Sequence, residues 1–462
     1  MKPPVNRFVR RRSNRAIRYE PIGSLAVLGM LLVSWFDLWA QPVPHHFSGI
    51  AVLPDKTVSL SLNGSVSQLV NLSGTISNQF MQMFDLYVLE DSPNLTDWTR
   101  LAMLLRMNNN PSPVVFVDTN AGDRGQRFYR TFTNHLLTAF SNPGGPFAVG
   151  TADRVMMDSA RTNLYRYSPP TNAFMVTIWY PADPPAAGVL PATIWDEKLA
   201  ADASFYSLYG ADTRWASLAP KLLGHRFRDV PLAGSAAKYP VILYSHGFAG
   251  SRRTQSQIAE ELASHGYVVM ALDHTDCFAT EFPDGRYLHG NISGGSDVSS
   301  RLQDMLCLLG ELDVLNTKDP LLTGRLDLDR IGVSGISAGG MVVETCRSDN
   351  RVRCAALWEG ADLSLSSAGL QKPFLAEVAE QTALYAENQW LFSKAITNAC
   401  FLQIRNAVHE TGSDAAWTLL TPSARGPAEA INACLVWFFD TYLKGETPEF
   451  PTNPEIYNVH RK

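Results

Sequence analysis

Charge is scarce in this chain. Only 18% of its 462 residues are Asp, Glu, Lys or Arg, against a usual share of about 25%, while 45% are apolar. That excludes a solvated, disordered polymer and predicts a well-packed globular protein, too long for one ordinary core. A basic cluster is missing from the body of the chain. Lys2, Arg7, Arg10, Arg11, Arg12, Arg15 and Arg18 face only Glu20 and Asp37 in residues 1–40, so the remainder carries −10 where the whole carries −5. A mildly acidic body without a basic patch argues against nucleic acid as a partner. Cysteine is absent before Cys277, and Cys277, Cys307, Cys346, Cys354, Cys400 and Cys434 form no CxxC pair. The usual spacing of a zinc site is therefore missing, and no metal or cofactor is called for. Cys307, Cys354 and Cys434 lie in apolar runs as small hydrophobes, and no disulfide is assigned.

Membrane-length apolar runs are lacking too. "PIGSLAVLGMLLVSWF" has 16 residues, where a spanning helix needs roughly 20. It follows a basic stretch and precedes "DLWA", with Ala40 as a small residue before a cut. That order predicts a cleaved signal peptide over 1–40 and a secreted or periplasmic protein.

What is present divides in two. Residues 41–140 alternate apolar and polar positions, as in "TVSLSLNGSVSQLVNL" with the turn signal Asn63-Gly64, and predict a small all-β, sandwich-like domain. "DSPNLTDWTRLAML…VVFVDTNAGDRGQRFYRTF" resembles an accessory β-domain common in large secreted bacterial proteins. Trp98, Phe128 and Tyr129 are read as core and edge residues rather than a sugar-stacking platform. The Pro/Gly-rich stretch 141–150, "SNPGGPFAVG", is the expected linker. From 151 to 450, apolar strands alternate with amphipathic helices. This predicts an α/β domain with a doubly wound, mainly parallel sheet covered on both faces. Within it, residues 183–235 carry Trp195, Phe205, Tyr206, Tyr209 and Trp215. They are expected either to cover a site or to pack surface helices.

Chemistry centres on "RIGVSGISAGGM" (330–341). Gly335-Ile336-Ser337-Ala338-Gly339 fits G-x-S-x-G between a buried strand and a helix, where a strained serine is presented as a nucleophile. A serine needs a base and an orienting acid, in the order Ser, acid, His. Only His409 and His460 follow Ser337; His460 is placed in a polar tail, which leaves His409. Glu359, just past strand "RCAALW", is the preferred acid, with Asp362 as the alternative. Two backbone N–H groups must face the developing charge. Ala338 supplies one. The loop "HGFAGS" supplies the other, from Phe248 or else Gly247. His246 is read as a hydrogen-bonding residue of that loop, and Asp273-His274 as scaffold.

With these residues placed, residues 145–445 resemble the platelet-activating factor acetylhydrolase family (plasma and intracellular type II branch) of the α/β-hydrolase fold. The resemblance lies in "GPFAVGT", "VTIWYPA", "YPVILYSHGFAGSRRTQSQIAEELASHGYVVMALDH", "GRLDLDRIGVSGISAGG", "RVRCAALWEG" and "RNAVHETGSD". It implies a calcium-independent serine esterase acting on short-acyl or oxidised phospholipids or other small esters. It also implies Ser337 as nucleophile, Glu359 as acid, His409 as base, and Phe248 and Ala338 as oxyanion donors. Three positions depart from the family pattern. Ile336 and Ala338 replace the usual His and Phe around the serine, and Glu359 replaces the usual Asp. The small Ala338 is expected to widen the pocket floor. The expected partner is an ester substrate, phospholipid or lipid surface included. The alternatives are a cutinase-like polyester or lipid esterase and a catalytically inert surface-binding protein.

Overall fold

The structure is a computed structural model. It describes residues 46–54, 56–63, 84–95, 99–107, 114–118, 121, 127–132, 137–138, 141–185, 189, 191–208, 216, 219, 222–360, 369–396, 398–414 and 425–462. The expected signal segment 1–40, Gly64, Trp98, Tyr209, Trp215 and Asp362 lie outside these residues. The chain divides into two compact units, Met1–His135 and Leu136–Lys462.

In the first unit, β1 (His46–Val52), β2 (Val58–Asn63) and β5 (Val114–Asp118) form one three-stranded sheet. β3 (Phe84–Ser92), β4 (Thr99–Met107) and β6 (Phe128–Phe132) form another, and all pairings are antiparallel. The alternation that predicted strands is visible in β2, where Val58 and Leu60 are buried and Ser59 and Ser61 are half-buried. Phe128 and Tyr129 are core residues, 7% and 2% exposed. The Tyr129 hydroxyl donates to Asp118 at 2.7 Å, and Arg127 pairs with Asp91 at 2.7 Å and Asp118 at 3.1 Å. These partners let the polar ends of a small core be buried.

The second unit is built on one ten-stranded sheet. Before it, β7 (Leu137–Thr138) pairs in parallel with β10 (Leu222–Leu223). The large sheet runs β11 (Arg226–Arg228), β8 (Ala148–Met157), β9 (Ala173–Ala182), β13 (Val268–Leu272), β12 (Tyr239–Ser245), β16 (Leu326–Ile336), β17 (Val352–Trp358), β18 (Phe374–Ala379), β19 (Ala399–Ile404) and β20 (Ile456–Arg461). Six consecutive strands, β13 to β19 in that order, are parallel. β14 (Ala279–Glu281) and β15 (Tyr287–His289) make a separate hairpin. β8 begins at Ala148, so the end of the Pro/Gly-rich stretch 141–150 already belongs to the sheet. His460, expected in a polar tail, instead lies exposed on edge strand β20, opposite Phe401 of β19. The strand lies at the sheet edge and is exposed or half-buried throughout, so burial imposes no periodicity on it.

Helices α1 (Glu197–Ala201) and α2 (Ala203–Leu208) are short. α3 (Ser256–Ser264) and α7 (Arg425–Phe439) cover one face; α4 (Val298–Lys318), α5 (Val342–Ser348) and α6 (Tyr385–Lys394) cover the other. Side chains of the central strands alternate between these layers. Val241 and Leu243 of β12 join Leu308, Leu312 and Val343, while Ile242 and Tyr244 join Ile258, Ile431 and Phe438. A strand buried on both faces reads as a continuous apolar run, which is how "VILY" reads. Wrapping on both faces leaves the carboxyl ends of the parallel strands open at one edge, and the candidate residues gather there.

Candidate active site

β16 ends at Ile336, whose register partner on β17 is Trp358. Ser337 and Glu359 therefore follow directly on paired residues of adjacent strands. Both have left-handed backbone, φ +53° and +45°, a conformation that costs an L-residue about 1–3 kcal/mol and persists where its surroundings enforce it. Around Ser337 the chain is packed backbone to backbone. A Cβ on Gly335 would stand 2.3 Å from the Gly339 carbonyl oxygen, and one on Gly339 would stand 2.2 Å from that of Ser245. No side chain fits at either position, which accounts for both glycines of G-x-S-x-G. A 3₁₀ turn, Ser337–Met341, leads into α5. Ser337 is half-buried between buried Ile336 and Ala338.

Glu359 is 1% exposed. Its N–H donates to the Glu377 carbonyl at 2.8 Å, and its Oε1 accepts from the Ala379 N–H at 2.9 Å. Its Oε2 accepts from His409 Nδ1 at 2.6 Å. His409 opens a 3₁₀ turn after β19, His409–Gly412. Its carbonyl accepts from Trp358 Nε1 at 2.7 Å, and a Cβ on Gly412 would stand 2.3 Å from the Trp358 ring. Trp358, one residue before Glu359, thus seats the loop that carries His409. Burial lowers the His409 pKa, but the Glu359 hydrogen bond and charge, with the Glu410 charge, outweigh it, and the net shift is upward.

The loop after β12 lies against Ser337: a Cβ on Gly247 would stand 3.5 Å from the Ser337 Cβ. His246 is fully buried; Nδ1 donates to the Gly247 carbonyl at 2.6 Å and Nε2 accepts from the His274 N–H at 3.1 Å. It is a hydrogen-bonding residue of the loop, as expected. Asp273 pairs with Arg252 and accepts from Thr280 Oγ1 at 2.6 Å, which makes it scaffold.

Sequence reading missed a second constellation with the outline of a triad. Ser245 Oγ lies 2.7 Å from His274 Nε2, and His274 Nδ1 lies 2.7 Å from Asp304 Oδ2. Ser245 and His274 are 0% exposed and Asp304 3%, so no substrate reaches them. Burial lowers the His274 pKa well below the ordinary value. Burial likewise raises Asp304 to about 6, opposed by the neighbouring Arg161. Asp414 was missed as well. Five residues after His409, it accepts from the Gln257 N–H and Trp195 Nε1, both at 3.1 Å. Burial pushes it up to about 7. It ties the histidine loop to the start of α3. The aromatics expected over the site, Trp195, Phe205 and Tyr206, are at most 5% exposed and pack on one another. Their burial supports the packing reading.

Among the described residues, no group of three or more His, Cys, Asp or Glu is placed to hold a metal ion, and no helix is long and apolar enough to cross a membrane.

Comparison with known proteins agrees with the fold. The family model of platelet-activating factor acetylhydrolase, isoform II, matches residues 133–282. A platelet-activating factor acetylhydrolase of Cavia porcellus is 27% identical over 280 residues, 52% of this chain and 60% of that protein. One of Bos taurus is 30% identical over 182 residues, 31% of this chain and 40% of that protein. The chain thus spans 60% or less of the length of these relatives. Among solved structures, a ferulic acid esterase from Streptomyces cinnamoneus superposes with a TM-score of 0.58 at 25% identity, covering 70% of this chain and 99% of that one. The second unit has the α/β-hydrolase fold, and over the matched residues the chain is similar to the platelet-activating factor acetylhydrolases.

Proposed function

We propose that the chain is a serine esterase that cleaves carboxylic esters through Ser337, His409 and Glu359. One observation carries the reading: Glu359 Oε2 holds His409 Nδ1 at 2.6 Å, and Ser337 stands at a left-handed turn on the neighbouring strand. With Nδ1 donating to the carboxylate, Nε2 is the basic nitrogen. His409 Nε2 takes the Ser337 hydroxyl proton as Oγ adds to the ester carbonyl carbon. Phe248 and Ala338 N–H groups receive the resulting oxyanion. The C–O bond to the alcohol then breaks, and the imidazolium returns its proton to the leaving alkoxide. Water repeats the sequence on the acyl-serine, releasing the acid and restoring Ser337.

Short-acyl phospholipids or other small esters are the substrate class. The relatives' names support the first and the ferulic acid esterase the second. Ala338, with a single methyl after the nucleophile, leaves more room beside Ser337 than a larger side chain would. A basic stretch followed by an apolar run and Ala40 supports export to the periplasm or beyond. The test is hydrolysis of p-nitrophenyl esters of increasing acyl length by the purified chain. Hydrolysis that falls with acyl length and is abolished in Ser337→Ala supports the reading; unchanged hydrolysis in Ser337→Ala overturns it.

A further inference from the structure

Arg301 on α4 has no part in the reaction above, yet its side chain is 0% exposed. Asp276 anchors it: Nε donates to Oδ2 at 2.8 Å, and Nη2 lies 2.7 Å from Oδ1. The rest of the guanidinium reaches the loop beside Ser337. Nη1 donates to the His246 carbonyl at 2.6 Å and Nη2 to the Gly247 carbonyl at 3.2 Å. The Gly247 carbonyl also accepts from His246 Nδ1 at 2.6 Å and from the Gly250 N–H at 3.1 Å. The Asp276 carbonyl accepts the Ala249 N–H at 3.2 Å, closing the loop on its own anchor.

A trans peptide is planar, so the Gly247 carbonyl and the Phe248 N–H point in opposite directions. Three donors on that oxygen fix the plane, and with it the direction of the Phe248 N–H. Charge adds to geometry. A cation on the carbonyl oxygen draws electron density along the peptide and strengthens the N–H as a donor, more so where water is excluded.

We propose that Arg301, held by Asp276, is a positioning residue for the oxyanion donor: it locks the Gly247–Phe248 peptide so that the Phe248 N–H faces the charge developing on the ester oxygen. This rests on the esterase reading. Lysine cannot replace it, because an ammonium cannot span a carboxylate and two carbonyls at once. The oxyanion forms only on the way to the tetrahedral intermediate, so the loss falls on kcat and not on KM.

The experiment compares the purified wild-type chain, Arg301→Lys and Asp276→Asn on p-nitrophenyl butyrate. It also measures the rate at which a fluorophosphonate labels Ser337. Arg301→Lys is expected to lower kcat about 100-fold, the scale of a misplaced oxyanion donor, with KM within about threefold, and to slow labelling in proportion. If Arg301→Lys does not fold, Asp276→Asn carries the test, with the same split at about tenfold. A kcat within twofold of wild type in the folded variant, or a rise in KM that matches the fall in kcat, overturns the positioning role and leaves the esterase reading standing. A wild-type chain that neither hydrolyses the ester nor takes the label overturns both.

Discussion

His409 Nδ1 lies 2.6 Å from Glu359 Oε2, while the other oxygen of that carboxylate accepts from the Ala379 N–H at 2.9 Å. The acid is therefore pinned to β18 by one oxygen and holds the imidazole with the other. Glutamate is one methylene longer than aspartate, and its left-handed backbone, φ +45°, accompanies this placement.

Removing the charge at Glu359 isolates its contribution. Glu359→Gln keeps the volume, but its amide can offer N–H to Nδ1 and so favour the wrong tautomer. We expect kcat to fall about 10⁴-fold with KM little changed, measured by steady-state hydrolysis of p-nitrophenyl butyrate. A fall of less than tenfold would count against Glu359 as the orienting acid.

The pH profile follows from His409. Burial lowers its pKa, and the Glu359 hydrogen bond and charge, with the Glu410 charge, raise it by more. The proposed reaction uses His409 as a base and so needs the neutral ring. A plot of kcat/KM should therefore rise with pH and bend above the ordinary histidine value of about 6.5. In Glu359→Gln the bend should move down, because the carboxylate charge and hydrogen bond that raise it are removed. The sign for stability is opposite. A raised folded pKa stabilises the fold fully below the unfolded value and loses that contribution as pH rises through the folded one. Urea melts across the same pH range check this second trend.

Ser245, His274 and Asp304 provide a control inside the same molecule. Their geometry imitates a triad, but they are sealed from solvent. Ser245→Ala should keep hydrolysis within a few-fold of wild type. It should cost about 1 kcal/mol of stability, for one buried hydrogen bond lost and the His274 nitrogen left unpaired. Loss of activity in a folded Ser245→Ala would place the chemistry there instead.

The fold was legible where burial dictates pattern. Six parallel strands buried on both faces read as apolar runs, and Gly335 and Gly339 mark contacts too close for any Cβ. The candidate acid and base were legible because chain order and strand ends narrow the choice. Edge strand β20 was not, since an exposed edge strand lacks the alternation that burial imposes. Nor were Arg301, Asp276, Trp358 and Asp414. Their roles depend on contacts to groups far away in sequence: 55 residues separate Arg301 from the His246 carbonyl, and 51 separate Trp358 from the His409 carbonyl. A local pattern carries no trace of such a contact. Buried arginines and a tryptophan beside the acid were the only hints.

Ser337 as nucleophile is the claim on which the rest depends, and covalent labelling tests it most directly. The purified chain is treated with a fluorophosphonate, digested, and mapped by mass spectrometry. The account predicts one adduct, on Ser337, with hydrolysis lost in step with labelling and neither seen in Ser337→Ala. An adduct on another residue, or hydrolysis that continues after Ser337 is fully labelled, would contradict it.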